Sequence, residues 1–228
     1  MKALREVKMK ATKKNKINDM LEDARSRIAC AYQTIREIEA FLGEYWETKT
    51  GEKGSDCFPE KFEVGDRLTV PMPDRKYTAT AIETDDEGTL FLLDECLDDA
   101  MPMNENGGTE GGYEQSDLRR YLNQIGDNFP DWFKEKLMPD EIGDYLYPLT
   151  MAQAFGYDKE FYGIGGQIEW MRDREHGMAK RKGKPEWYWL RDPVSAAGFA
   201  HVNNAGIAGL SGAGYSLGIR LAFKIKNL

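Results

Sequence analysis

The chain has 228 residues, 41% of them hydrophobic and 11% aromatic, enough for one ordinary domain with an appendage or for two small domains. No run of 18 apolar residues occurs, and no apolar stretch follows the basic N-terminus, so the sequence predicts neither membrane insertion nor a secretory signal peptide. Residues 1–16 hold seven Lys or Arg against one acid; the formal net charge of −8 therefore leaves −14 on the remainder, which disfavours nucleic acid as the main ligand.

A heptad repeat covers residues 17–45. One core position holds Leu21, Ile28, Ile35 and Leu42, and the other holds Ile17, Ala24, Ala31, Ile38 and Tyr45. An isolated helix of this length is marginally stable in water, so the apolar stripe needs a partner, either another copy or the chain's own globular domain. Because the stripe is narrow, we expect self-association as a dimer or trimer through residues 17–45.

A breaker-rich segment follows this helix and marks a domain boundary. We therefore divide the chain into a basic tail with a coiled-coil helix (1–50), a linker (51–61) and a globular domain (62–228). The basic tail could contact nucleic acid, an acidic protein or a membrane surface, but we expect it to be the solvated start of the helix.

Strand patterns open the globular domain. Arg67 to Val70 reads as a strand closed by a proline, and Lys76–Thr84 and Thr89–Leu93 read as a hairpin whose turn has Gly88 placed for a positive φ. Four acids follow, at Asp94, Glu95, Asp98 and Asp99. Their spacing does not match a calcium loop, so they predict a short helical turn with acidic residues around it.

Short helices and irregular segments occupy the middle of the domain. Ser116 is placed to cap a helix with apolar residues at Leu118, Leu122 and Ile125. The remaining predicted elements are a helix from Pro130 to about Leu137, a strand at Tyr145–Leu149, a helix at Met151–Phe155 capped by Thr150, and an irregular surface excursion over residues 156–184.

The last third returns to strands. They are predicted at Glu186–Arg191, Gly198–Asn203, Ile207–Leu210 and Leu217–Ile225, with Asn203 to Gly206 as a hairpin turn. Alternation along the first of them places Trp187, Trp189 and Arg191 on one face. That face is either core, with Arg191 satisfying buried carbonyls or carboxylates, or an aromatic platform for a sugar or peptide.

The sequence lacks the usual motifs of catalysis. Its two histidines, His176 and His201, have no metal-ligand spacing, no nucleophile elbow occurs, and neither glycine-rich run has the context of a phosphate loop. We therefore predict no enzyme activity, no catalytic residues, no metal and no cofactor. The widely spaced cysteines predict reduced thiols.

Ligand contacts are instead predicted in the small-residue region before the last strand, where donors, acceptors and one aromatic residue are adaptable. The candidate ligand-binding residues are His201, Asn203, Asn204, Ser211, Tyr215 and Ser216, together with Trp187. The alternative is that they are ordinary turn residues.

Five ordered segments resemble a bacterial and phage domain family of uncharacterised function, over about Phe62 to Ile225. They are residues 89–94, 101–105, 115–123, 189–193 and 218–223. That family is similar to the C-type lectin-like fold of formylglycine-generating enzymes and of the variable proteins of diversity-generating retroelements. The resemblance implies an α+β fold: the coiled-coil helix followed by a C-type lectin-like mixed domain of short helices and antiparallel strands, with a binding face at Phe199–Leu217.

The chain departs from those groups in two respects. No cysteine follows Cys96, whereas the formylglycine-generating activity requires a C-terminal pair, and the EPN, QPD and WND motifs of calcium-dependent lectins are absent. The resemblance therefore implies a binding protein rather than an enzyme.

We expect a receptor- or ligand-binding protein displayed on a coiled-coil oligomer, such as a phage tail or fibre protein that recognises its host, or a retroelement-diversified variable protein. Its partner would be a cell-surface protein or glycan. The alternative is a structural, assembly or decoration protein of a virion or other large particle. Either would be made in the bacterial cytoplasm, and the phage version would be incorporated in a virion.

Overall fold

The computed structural model describes residues 59–72 and 75–227. The predicted basic tail, the coiled coil of residues 17–45 and the linker up to residue 58 lie outside the described residues, so the heptad repeat and self-association stay predictions. Within the described residues, no helix is both long enough and apolar enough to span a membrane.

Antiparallel sheets with few helices make this a mixed α+β structure. The strands are β1 (Arg67–Pro71), β2 (Lys76–Thr84), β3 (Gly88–Leu93), β4 (Ala100–Met101), β5 (Leu137–Met138), β6 (Ala179–Arg181), β7 (Lys184–Glu186), β8 (Tyr188–Ser195), β9 (Gly198–Val202), β10 (Ala208–Gly212), β11 (Leu217–Gly218) and β12 (Ala222–Lys226). The helices are α1 (Asp117–Asp127), α2 (Asp131–Lys134), α3 (Met151–Phe155) and α4 (Arg174–Gly177), with 3₁₀ turns at Tyr113–Gln115 and Glu169–Arg172.

The first sheet has the order β1-β2-β3-β12-β5, and its adjacent strands are antiparallel. All six residues of β3 are buried, as expected for a central strand covered on both faces. The rings of Phe91 and Phe223 stack at 5.6 Å across β3 and β12, and Phe62 meets Phe91 edge-on at 4.9 Å. The last strand of the chain thus completes the sheet begun by the first.

The second sheet has the order β10-β9-β8-β11-β4. Strands β8, β9 and β10 form an antiparallel meander, whereas β11 runs parallel to β8 through the pair Gly218 and Tyr188. The indole nitrogen of Trp189 donates to the carbonyl of Met101 (2.9 Å), which ties β8 to β4 at the far edge. Strands β6 and β7 form a separate two-stranded hairpin.

The predicted strand Leu217–Ile225 is divided between the two sheets. Its first part is β11 and its last part is β12, while Ile219 to Leu221 cross from one sheet to the other. The carbonyls of Ile219 and Leu221 accept from the backbone of Leu97 (2.8 Å) and Leu93 (3.0 Å) along the crossing. Alternating side chains could not reveal this break, because the crossing residues are buried in either arrangement.

Arg220 lies inside this crossing and is only 6% exposed. Its Nε donates to the carbonyl of Leu93 at the end of β3 (2.7 Å). One terminal nitrogen donates to the carbonyl of His176 (2.6 Å) and reaches the hydroxyl of Tyr188 on β8 (3.3 Å). The guanidinium therefore connects both sheets and α4.

Two local helix predictions are confirmed by their caps. Ser116 accepts from the backbone of Arg119 (3.0 Å) at the start of α1, and Leu118 and Leu122 on its inner face are fully buried. Thr150 and Gln153 form a reciprocal capping box at the start of α3.

The predicted helix from Pro130 is too long and the predicted strand Tyr145–Leu149 is wrong. The helix is limited to α2, since β5 follows at once and pairs with β12. In the other segment Tyr147 alone pairs, through an isolated bridge to Ala222, because Pro148 has no N–H with which to extend the ladder.

The acidic segment after β3 is not helical, contrary to the prediction. It consists of bends, and its carboxylates are drawn to two arginines. Arg67 pairs with Asp94, and Arg75 donates to Glu95 (2.9 Å) and Asp98 (3.0 Å).

The prediction that Gly88 has a positive φ is wrong. Glycine is required there for another reason, because a Cβ would lie 2.4 Å from the Ile225 carbonyl of β12.

The excursion over residues 156–184 is only partly irregular, because it contains the second 3₁₀ turn, α4 and β6.

The predicted alternation at Trp187–Arg191 holds only in part. Tyr188, Trp189 and Leu190 are all buried, so both faces of β8 are covered there, while Trp187 lies before the strand and is 41% exposed. Arg191 pairs with Asp140, in agreement with the core interpretation.

Replacing Arg220 with Met should lower the free energy of unfolding by about 3 kcal/mol, because buried acceptors lose their donor. Urea denaturation measures the change. Arg67→Met is the matched control and should stay close to wild type, since that side chain is 68% exposed and its ion pair lies at the surface. Equal stabilities for the two variants would contradict the role given to Arg220.

Candidate functional site

The candidate site is built on the middle of the second sheet. On β9, His201 lies opposite Trp189 of β8 and Gly209 of β10, so the three residues share one face. A Cβ at position 209 would lie 2.7 Å from Cε1 and Nε2 of His201. Because Gly209 has no side chain, the imidazole of His201 has room to lie across the edge strand β10.

Trp187 stacks on this imidazole. The ring centroids of Trp187 and His201 are 4.8 Å apart and their planes differ by 11°. His201 is buried, at 4% exposure, whereas Trp187 is 41% exposed. The buried ring thus acts as the support and the indole as the accessible surface.

His201 is also held by Ser211. The hydroxyl oxygen of Ser211 and Nδ1 of His201 lie 3.1 Å apart, across β9 and β10. Burial lowers the pKa of His201, so the imidazole is neutral at neutral pH. A neutral, buried imidazole that is already stacked and hydrogen-bonded is suited to positioning Trp187.

The hairpin turn after β9 uses Asn203 for its own structure. Its side-chain oxygen accepts from the backbone of Ala205 (2.9 Å) and Ile207 (3.1 Å), and Gly206 takes a φ of +70° that favours glycine. Asn204 at the tip is exposed and lines a cleft of about 460 Å³ with Lys180 and Glu175. The side-chain oxygen of Asn203 is thus committed to the turn, whereas Asn204 is exposed.

Tyr215 and Ser216 lie beyond the end of β10, and both are exposed. The Tyr215 ring, which is 69% exposed, packs beside Gly212, where a Cβ would approach it to 3.3 Å. Along β10, Gly212 points to the face opposite Gly209. The structure therefore brings Trp187, His201 and Ser211 together, and places Asn204 at the hairpin turn and Tyr215 with Ser216 beyond the end of β10.

The aromatic stack could not be predicted from the sequence, because Trp187 and His201 are brought together by the register of β8 and β9, which is not local. It also missed two exposed apolar side chains on and before the edge strand, Ile207 (47%) and Leu210 (53%). The available signal was Gly209, a glycine inside an otherwise strand-like run, which often marks close approach of another group.

Within the described residues, no group of three or more His, Cys, Asp or Glu could hold a metal ion. No protein family, curated protein or solved structure matches this chain.

Replacing Gly209 with Ala should displace the His201 ring and loosen the Trp187 stack, since the added carbon would overlap the imidazole. Near-UV circular dichroism and quenching of tryptophan fluorescence by acrylamide measure the change, with quenching expected to increase. Gly163→Ala, at a position with nothing within 4 Å of the added carbon, is the control. An unchanged spectrum for Gly209→Ala would refute this account of the stack.

The stability of the protein should fall as the pH drops below 6.5, the ordinary pKa of histidine. The folded state binds a proton at His201 more weakly than the unfolded chain does, so acid favours unfolding. His201→Phe keeps a ring against Trp187 without a titrating group. The free energy of unfolding of the wild type, relative to that of this variant, should decrease between pH 7.5 and 5.

Proposed function

We propose that this protein is a non-enzymatic binding protein whose ligand lies against the exposed indole of Trp187. The observation that carries the proposal is the stack of Trp187 on the buried His201. A large aromatic surface that is open to solvent yet held rigid loses little entropy when a ligand covers it. Ser211 and the backbone of the edge strand supply polar groups on the same face of the sheet as His201.

The connections of the strands support the finer proposal that the domain is C-type lectin-like. The first and last strands, β1 and β12, belong to the same sheet, while the second sheet is inserted between them in the chain. The face expected from the resemblance, Phe199–Leu217, corresponds to β9, β10 and the loop to β11. In this proposal the first sheet is the scaffold and the second displays the ligand-binding surface.

Self-association through residues 17–45 completes the proposal. Several copies of the face on one coiled coil would bind a repeated ligand far more tightly than one copy does, since the second contact is intramolecular. A cell-surface protein or glycan is such a ligand. This design suits a phage host-recognition protein or a retroelement-diversified variable protein.

A second candidate function is docking onto a larger particle, and an exposed aromatic loop favours it. In the segment 156–166, Tyr162 is 70% and Ile164 is 61% exposed. The Asp158 carboxylate accepts from the backbone of Glu160 (3.0 Å) and Tyr162 (2.9 Å), which fixes the loop. A preordered loop with exposed apolar side chains is typical of a protein contact.

Substituting Trp187 with Ala should weaken ligand binding by at least about tenfold without unfolding the protein, as losing an aromatic contact of this size commonly does. The measurement is binding of the full-length protein to a glycan array and to bacterial cell surfaces, with stability followed by urea denaturation.

Tyr162→Ala separates the two functions, because it removes an aromatic side chain from the loop and leaves the Trp187 stack intact. Binding that is lost with Tyr162→Ala and retained with Trp187→Ala would overturn the proposed site and support docking. Tyr145→Ala, at another exposed tyrosine (47%), is the control for nonspecific loss of an aromatic side chain.

A further inference from the structure

The hairpin of β6 and β7 is a strongly basic element on an acidic domain. Four cations, Lys180, Arg181, Lys182 and Lys184, occur within five residues that contain no acid. Arg181 is engaged by Glu186, at 2.6 Å. The three lysines are exposed, and among the residues that the structure describes they take part in none of the ion pairs.

The turn of this hairpin holds a lysine in a conformation that lysine rarely adopts. Lys182 and Gly183 have φ values of +51° and +78°, as a tight turn between two twisted strands requires. Asn or Gly would adopt the first position with less strain. Lys182 therefore adopts a strained backbone conformation and places a positive charge at the tip of an exposed hairpin. Strained residues of this kind cluster at functional sites.

The positive charge of the hairpin is largely uncompensated, because most of the carboxylates near it are paired with other arginines. Asp94, Glu95 and Glu175 line the cleft that also contains Lys180. Asp94 is paired with Arg67, and Glu95 with Arg75. Glu175 is thus the carboxylate of that cleft that remains to face Lys180.

The hairpin leads directly into the proposed binding site. Strand β7 ends at Glu186, and Oε1 of Glu186 accepts from the backbone N–H of Trp187 (3.1 Å). At about 3.3 Å per residue, Lys184 lies within roughly 10 Å of Trp187 along the chain, and Lys182 within about 17 Å. That span corresponds to a few sugar units of an extended polysaccharide.

We propose that the ligand is an anionic glycan, with one sugar ring against Trp187 and its carboxylate, sulfate or phosphate groups on Lys180, Lys182 and Lys184. This inference rests on the proposed function and specifies its ligand class. The acidic charge elsewhere on the domain repels a polyanion, so the ligand is confined to this edge. A neutral His201 beneath the indole adds no charge of its own, and the hairpin supplies the selectivity for anions.

The test compares full-length wild type with the variant Lys180→Gln, Lys182→Asn, Lys184→Gln. Asn is chosen at position 182 because it accepts the positive φ, so the turn is preserved. The matched control is Lys61→Gln, Lys76→Gln, Lys226→Gln, which removes the same charge from exposed lysines elsewhere. Immobilised dextran sulfate, carboxymethyl dextran, unsubstituted dextran and double-stranded DNA are the probes, at several salt concentrations.

The expected result is salt-sensitive binding to the two anionic dextrans, weakened roughly tenfold in the hairpin variant and retained in the control. Trp187→Ala should weaken the same binding.

Equal binding of the hairpin variant and wild type to the anionic dextrans would overturn this inference. The Trp187 site would still stand in that case, provided that Trp187→Ala weakens binding. Tighter binding to DNA than to either anionic dextran would replace the glycan by nucleic acid. Failure to bind any carbohydrate, in these probes and on the glycan array, would overturn the glycan assignment, and failure on cell surfaces as well would overturn the proposed function.

Discussion

The buried guanidinium of Arg220 is the interaction on which the arrangement of the two sheets depends. A charge of this kind is costly to bury unless its donors are satisfied, and here the acceptors are carbonyls of Leu93 and His176 and the hydroxyl of Tyr188. Carbonyl oxygens are fixed by the backbone, so they specify position more strictly than a mobile carboxylate does. The guanidinium therefore fixes the chain where it passes from β11 to β12, and it holds β3 and β8 at a set separation.

That separation determines what the second sheet can display. Strand β8 is the central strand of its sheet and is covered on both faces at Trp189, so β9 and β10 take their register from a fixed strand. The register sets Gly209 opposite His201, and the missing side chain gives the imidazole its place. The indole of Trp187 then rests on a ring that is itself immobilised. The exposed surface is thus ordered by a sequence of contacts that begins at the core.

Features that depend on neighbouring residues could be predicted from the sequence. The caps at Ser116 and Thr150, the strands of the first hairpin and the turn at Asn203 to Gly206 are local, since their signals lie within a few residues of the structure they specify. Non-local features could not. The break between β11 and β12 arises because Arg220 must reach groups from distant parts of the chain.

The composition of the candidate site shows the same division. The sequence predicts Trp187, His201 and Ser211 as ligand contacts by residue type, but strand register brings them together. The basic hairpin cannot be predicted from its sequence, because its cations lie in and next to a segment that lacks a clear strand pattern. Pairing of β6 with β7 converts that run into a compact charged element beside Trp187.

The exposed side chains between β9 and β11 contribute little to the core beneath them. Their backbone is fixed by main-chain hydrogen bonds, as where the carbonyl of Ala197 accepts from Ala213 (2.8 Å) and Asn203 exchanges hydrogen bonds with Ile207 and Gly206 (each 2.9 Å). Positions such as 204, 210 and 215 can therefore change identity at small cost in stability. The side chains of this surface can therefore vary while the backbone that carries them stays the same.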